Sequence, residues 1–129
     1  PVGKIISKTK RPNGLEIHKV SVPIGVLLVI YESRPNVTTD ASALCLKSGN
    51  SVILKCGSES LNSSKALLSC IHQSLKKYKL PENLVQILPS NNRKLVSDLL
   101  KMDNYIDVVV TRGGKSLIKA ISKQSKMLL

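Results

Sequence analysis

GVLLVIYESRPNVTTDASALCLKSGNSVILKCGS, Gly25 to Ser58, is the stretch that decides the fold. It opens with a continuous apolar run, Gly25 to Tyr31, rich in β-branched residues and too short to cross a membrane. A strand buried on both faces has this pattern. The polar turn Glu32-Ser33-Arg34-Pro35-Asn36 follows, in which Pro35 disfavours helix at Arg34 and Asn36 or Thr38 is placed to cap what comes next. Val37, Ala41, Leu44 and Cys45 then recur at helical spacing as far as Gly49, a natural left-handed stop. Ser51 to Lys55 is a second apolar run, ending at Cys56-Gly57-Ser58. The stretch therefore reads as strand, helix, strand: a βαβ unit with polar residues at both strand ends.

Working outward, residues 1–12 are polar and basic, and the absence of an initial Met suggests an excerpt or a remnant. Asn13-Gly14 signals a tight turn, and Leu15, Ile17 and Val20, alternating with polar residues, predict a half-exposed strand. Toward the C-terminus, Ser58 is placed to cap a long helix with Glu59 in its first turn. The apolar stripe of that helix is Leu61, Leu68, Ile71, Leu75 and Tyr78. Val85 to Leu88 predicts a short strand stopped by Pro89. Asn91 or Asn92 is placed to cap a helix carrying Leu95, Leu99 and Met102 on one face. Tyr105 to Val110 predicts a fourth strand, broken by Arg112-Gly113-Gly114, and Leu117, Ile118 and Ile121 mark a final helix. Strands alternating with helices mean an α/β fold with a parallel sheet and helices on both faces. Residues 1–22 read as a polar arm with a strand extension, and 23–129 as a βαβαβαβα core.

Composition narrows the function. A chain of 129 residues is long enough for one domain, and 2% aromatic content leaves Leu, Ile and Val to build the core. Three cysteines without CxxC spacing suit a reducing cytoplasm rather than a disulfide framework. The net charge of +12 favours anionic partners, whether phosphorylated small molecules or nucleic acid. The cluster Lys76, Lys77 and Lys79 falls near a helix C-terminus, where cations offset the macrodipole. A basic, non-enzymatic module for nucleic acid or phosphorylated ligands remains the alternative reading, although three Tyr and no Phe or Trp give bases almost nothing to stack on.

Parallel α/β sheets bind ligands beyond the carboxyl ends of their strands. Three ends are informative. Glu32 to Asn36 reads either as a capped turn or as a set of polar donors beside a substrate, with Arg34 and Asn36 as the candidates. At Lys55-Cys56-Gly57-Ser58 a cation precedes a helix N-terminus, which suits a phosphate. No carboxylate is expected at that strand tip, although Glu59 is close. At Arg112-Gly113-Gly114 the glycines let backbone approach a pyrophosphate at the next helix N-terminus. Gly114-Lys115-Ser116 is not a Walker motif, because residue 109 is Val where a Gly is required. His18 and His72 are isolated and read as surface or packing residues. Cys45 and Cys70 read as small core residues, and Cys56, beside Lys55 and a helix N-terminus, is the candidate reactive thiol.

IYESRPN, ALCLKSGN and VILKCGSE together resemble the central segment of gamma-glutamyl phosphate reductases, within the aldehyde dehydrogenase superfamily. RPNGLEI near the start and YIDVVVTRGGKSLI near the end extend the resemblance over essentially the whole chain. It implies a Rossmann-like cofactor-binding domain, incomplete here, that binds its dinucleotide without GxGxxG. It also implies NADPH-dependent reduction of gamma-glutamyl phosphate to glutamate 5-semialdehyde in proline biosynthesis. By the resemblance Lys55 holds the adenosine ribose or its 2′-phosphate, which with no carboxylate at the strand tip favours NADP over NAD. By the same resemblance Gly57, Ser58, Arg112, Gly113 and Gly114 contribute to the cofactor site, and Asn36 donates to an oxyanion. Residues before the first core strand belong to an antiparallel extension that assembles an oligomer. The family's nucleophilic cysteine, which attacks the acyl phosphate to give a thioester, lies in a later domain. The 129 residues alone are therefore expected to be catalytically silent, with no catalytic or metal-binding residue of their own. Cys56 stands where the family has Gly, and Thr111 and Ser116 replace the usual Pro and Gly.

Overall fold

A computed structural model describes residues 2–89, 92–125 and 127. Ile5–Lys10 (β1) and Glu16–Val20 (β2) form an antiparallel ribbon joined through Gly14, whose φ is 88°. The strand β1 is absent from the sequence reading, which took residues 1–12 as a polar arm. Its two apolar residues, Ile5 and Ile6, are adjacent and give no period-two signal, so the strand is legible only once β2 is beside it.

The core begins at Val26–Tyr31 (β3), followed by Asn36–Lys47 (α1), Ser51–Lys55 (β4) and Leu61–Lys77 (α2). Val85–Ile87 (β5), Arg93–Leu99 (α3), Val108–Arg112 (β6) and Lys115–Gln124 (α4) complete it. The sheet order is β5-β4-β3-β6, and every pairing is parallel. The chain steps outward from β3 through β4 to β5, then returns to lay β6 on the other side of β3. The order therefore reverses between β3 and β6, the place where parallel α/β sheets leave a crevice at their carboxyl ends.

The apolar run of β3 is continuous because both of its faces are covered. Leu27, Val29 and Tyr31 pack with Val37, Cys45 and Leu75 of α1 and α2. Leu28 and Ile30 pack with Leu100, Ile106, Val109 and Ile121 on the α3–α4 side. Leu28, Leu54, Val85 and Val109 are wholly buried. Burying a Leu, Ile or Val side chain contributes about 1.5–3 kcal/mol, so these two layers dominate the stability of the sheet.

Several local expectations are corrected. α1 starts from Pro35 without a side-chain cap, and neither Asn36 nor Thr38 fills that role. Asn36 instead donates to Asp40 at 3.1 Å, and Thr38 bonds the Tyr31 phenol at 2.7 Å. Leu44 is exposed, because α1 turns Val37, Ala41 and Cys45 inward. Ser58 opens a single 3₁₀ turn, Ser58–Ser60, and α2 starts after it without a side-chain cap. Tyr78 lies just beyond α2 and is exposed. In α3 the inward residues are Val96 and Leu99, whereas Leu95 and Met102 are exposed. The fourth strand begins at Val108 rather than Tyr105 and runs through Arg112. Asn92 caps α3 by accepting from the Lys94 amide at 2.9 Å, and the Asn91 alternative lies outside the described residues. Cys70 is exposed rather than in the core.

Candidate dinucleotide-binding cleft

The carboxyl ends of β3 and β4 open into a cleft of about 720 Å³, closed on its far side by α3 and α4. Its polar floor comes from Glu32, Ser33, Lys55, Gly57, Ser58 and Glu59, and its apolar wall from Val96, Leu100, Leu117 and Ile121. The parallel register brings these groups together. Ile30 pairs with Lys55, and Tyr31 with Arg112, so the polar residues that end the three strands share one level.

Three hydrogen bonds tie the turn after β3 to its neighbours on either side. On one side the Glu32 carboxylate accepts from the Gly114 amide at 3.1 Å, and the Glu32 amide donates to the Arg112 carbonyl at 3.2 Å. On the other, the Ser33 hydroxyl donates to Glu59. Ser33 sits at φ 31°, a left-handed conformation that a non-glycine residue adopts at some cost, and it aims the hydroxyl across the cleft mouth. The hydrogen bond from Ser33 holds the Glu59 carboxyl below the usual carboxylate range, so Glu59 is charged at neutral pH.

Lys55, Gly57 and Ser58 line the cleft as a group. Lys55 is half-buried and donates to the Cys56 carbonyl. Gly113 and Gly114 stand at its edge, before Ser116 and Leu117, which line it. Arg112 is exposed at the end of β6. Arg34 and Asn36 are exposed one turn further along, outside the residues lining the cleft. Sequence reasoning missed Glu32 and placed no carboxylate at the tip of β4. Yet a Cβ on Gly57 would lie 2.6 Å from Glu59 Oε1, so a carboxylate does stand there. The 3₁₀ turn, invisible in the hydrophobic pattern, folds Glu59 back over Gly57. Cys56 is 1% exposed and packs in the core with Val52 and Leu54, which removes it from the candidate reactive groups. His72 bonds the Val85 carbonyl at 2.8 Å, a packing role. Among the described residues no cluster of His, Cys, Asp and Glu has the arrangement of a metal site.

The cleft suits a dinucleotide chemically. Lys55 offers a cation, Glu59 offers acceptors for ribose hydroxyls, the N-terminus of α4 offers backbone donors, and the apolar wall offers a surface for a flat base. A parallel sheet with a cleft beyond the carboxyl ends of its strands has the arrangement in which α/β proteins bind ligands. The aldehyde dehydrogenase family model matches residues 3–129, and the chain belongs to that family. It is 55% identical over its full length to the gamma-glutamyl phosphate reductase of Rhodospirillum rubrum, of which it spans 30%. The crystal structure of gamma-glutamyl phosphate reductase from Thermotoga maritima superposes with a TM-score of 0.95 at 41% identity, covering 99% of this chain and 31% of that one. A more distant solved structure, an engineered glycolyl-CoA reductase with bound NADP⁺, has a TM-score of 0.77 at 26% identity, covering 95% of this chain and 28% of that one. The chain thus spans about a third or less of the proteins it matches. Among the described residues no helix is long and apolar enough to cross a membrane.

Proposed function

We propose that this chain forms the cofactor-binding part of a gamma-glutamyl phosphate reductase, the NADPH-dependent enzyme that converts gamma-glutamyl phosphate to glutamate 5-semialdehyde in proline biosynthesis. The observation that carries the reading is the cleft at the ends of β3 and β4, with Lys55 in its floor, in a chain 55% identical to a named reductase. Lys55, Gly57 and Ser58 hold the adenosine ribose and its 2′-phosphate. Glu59 stands close enough to accept from a ribose hydroxyl, which leaves the preference for NADPH resting on the cation Lys55. The NADP⁺ bound by the engineered glycolyl-CoA reductase supports the same choice. Arg112, Gly113 and Gly114 frame the pyrophosphate, and Arg34 and Asn36 reach toward the acyl phosphate from the exposed turn.

A bound nicotinamide supplies hydride to the acyl carbon. The residues of this chain bind and orient the dinucleotide, and the α3–α4 wall keeps water from one side of it. The excess of 20 Lys+Arg over 8 Asp+Glu draws an anionic substrate toward the molecule. The Lys76–Lys77 cluster has a structural account of its own, since both residues lie in the last turn of α2 and Lys76 pairs with Glu82 at 2.7 Å. No observation therefore favours the nucleic-acid alternative. Three free cysteines fit a reducing cytoplasm as the site of action.

A thermal melt of the 129-residue chain with NADPH, NADH or neither tests the reading. NADPH at a hundred times its Kd is expected to add about 2.7 kcal/mol of stability, with a smaller shift from NADH and no turnover of the acyl phosphate. A cooperative transition that neither nucleotide moves would overturn it.

A further inference from the structure

The crevice between β3 and β6 already holds an anion of the protein's own. The Glu32 carboxylate accepts from the amide of Gly114, the N-cap residue of α4, which has no side-chain cap of its own. A Cβ on Gly113 would fall 2.7 Å from the same carboxylate oxygen and 2.7 Å from Leu117 Cδ2, so glycine there leaves the carboxylate its place. The Glu32 backbone is fixed by its bond to the Arg112 carbonyl, whereas its side chain is exposed and free to turn at little packing cost.

The forces that hold this carboxylate are those that would hold a phosphate: a backbone N–H and the positive end of a helix. Two anions cannot share one set of donors without strong repulsion. We infer that Glu32 sets the affinity of the cleft for its dinucleotide, its carboxylate occupying the position that the pyrophosphate must take. This rests on the cofactor reading above. Nucleotide binding then breaks the Glu32–Gly114 hydrogen bond and turns the carboxylate out to solvent. A nucleoside without phosphate has no need to displace it, so Glu32 acts on the phosphate-bearing part of the ligand alone.

The test titrates NADPH, inorganic pyrophosphate and adenosine into the wild-type chain and Glu32→Gln, with a ligand-free melt of each to establish folding. The amide keeps the size of the side chain and removes its charge. NADPH and pyrophosphate are expected to bind Glu32→Gln on the order of tenfold more tightly, with adenosine unchanged. A purely structural role predicts equal or weaker binding. Equal or weaker binding of NADPH by a folded variant overturns the role of Glu32 and leaves the cofactor reading standing, whereas no binding of NADPH by either protein overturns both. Should Glu32→Gln not fold, wild-type NMR decides. Pyrophosphate must then shift the Gly114 amide and the Glu32 carboxyl carbon together, and a Glu32 carbon that stays unmoved overturns the inference.

Discussion

At the scale of single residues, two side chains opposite the cleft hold the entry to β3. The Asn50 oxygen accepts from the amides of Ile24 at 2.6 Å and Gly25 at 2.8 Å, and its nitrogen donates to the Ser48 hydroxyl at 2.8 Å. Asp107 accepts from the Val26 amide at 2.8 Å, and a Cβ on Gly25 would meet that carboxylate at 2.1 Å. Asn50 is buried, so removing its amide strands two backbone donors away from water. Asn50→Ala is expected to cost about 2–3 kcal/mol, read as a lower midpoint in urea with an unchanged slope. Neither contact was legible in the sequence, where Asn50 is one more polar residue after Gly49. Its partners lie 25 and 26 positions away, and only the parallel pairing of β3 with β4 brings them within reach.

At the scale of elements, the two long helices on one face end in the same way with different residues. After α1, Gly49 at φ 74° donates to the Leu46 carbonyl and Asn50 to that of Cys45. After α2, Lys79 at φ 58° donates to the Lys76 carbonyl and Leu80 to that of Leu75. Both are Schellman closures, and only the first has the glycine that the left-handed residue favours. The Gly49 stop was readable in advance because glycine advertises the conformation. The Lys79 stop was not, because lysine carries no local preference for the left-handed conformation it adopts. Lys79→Gly is expected to stabilise the chain by about 0.5–1 kcal/mol, seen as a higher midpoint in a thermal melt. Packing accounts for the misplaced faces of α1 and α3. Periodicity marks several apolar positions, and the sheet selects those that meet it.

At the scale of the whole molecule, the β1–β2 ribbon is unlike the rest. Both strands are exposed along their length, and Ile5, Ile6, Ile17 and Val20 present large apolar side chains to solvent. A pair of strands with no core of its own is marginal in water. We propose that the ribbon joins a second copy, as the resemblance implies. Sedimentation velocity should then show association that rises with concentration and is lost on changing Ile6 and Ile17 to Lys, whereas a monomer at all concentrations would refute it. Sequence by itself determined the alternation of strands and helices, the burial of Val26–Tyr31 on both faces and the grouping of Lys55, Gly57 and Ser58, because each follows from local periodicity or from residues adjacent in the chain. Tertiary structure alone decided the reversal of strand order at β3, the return of Glu59 over Gly57 and the meeting of Glu32 with Gly114. The last pair stands 82 positions apart, and no local pattern carries the register that joins them, since that register follows only from which strands pair.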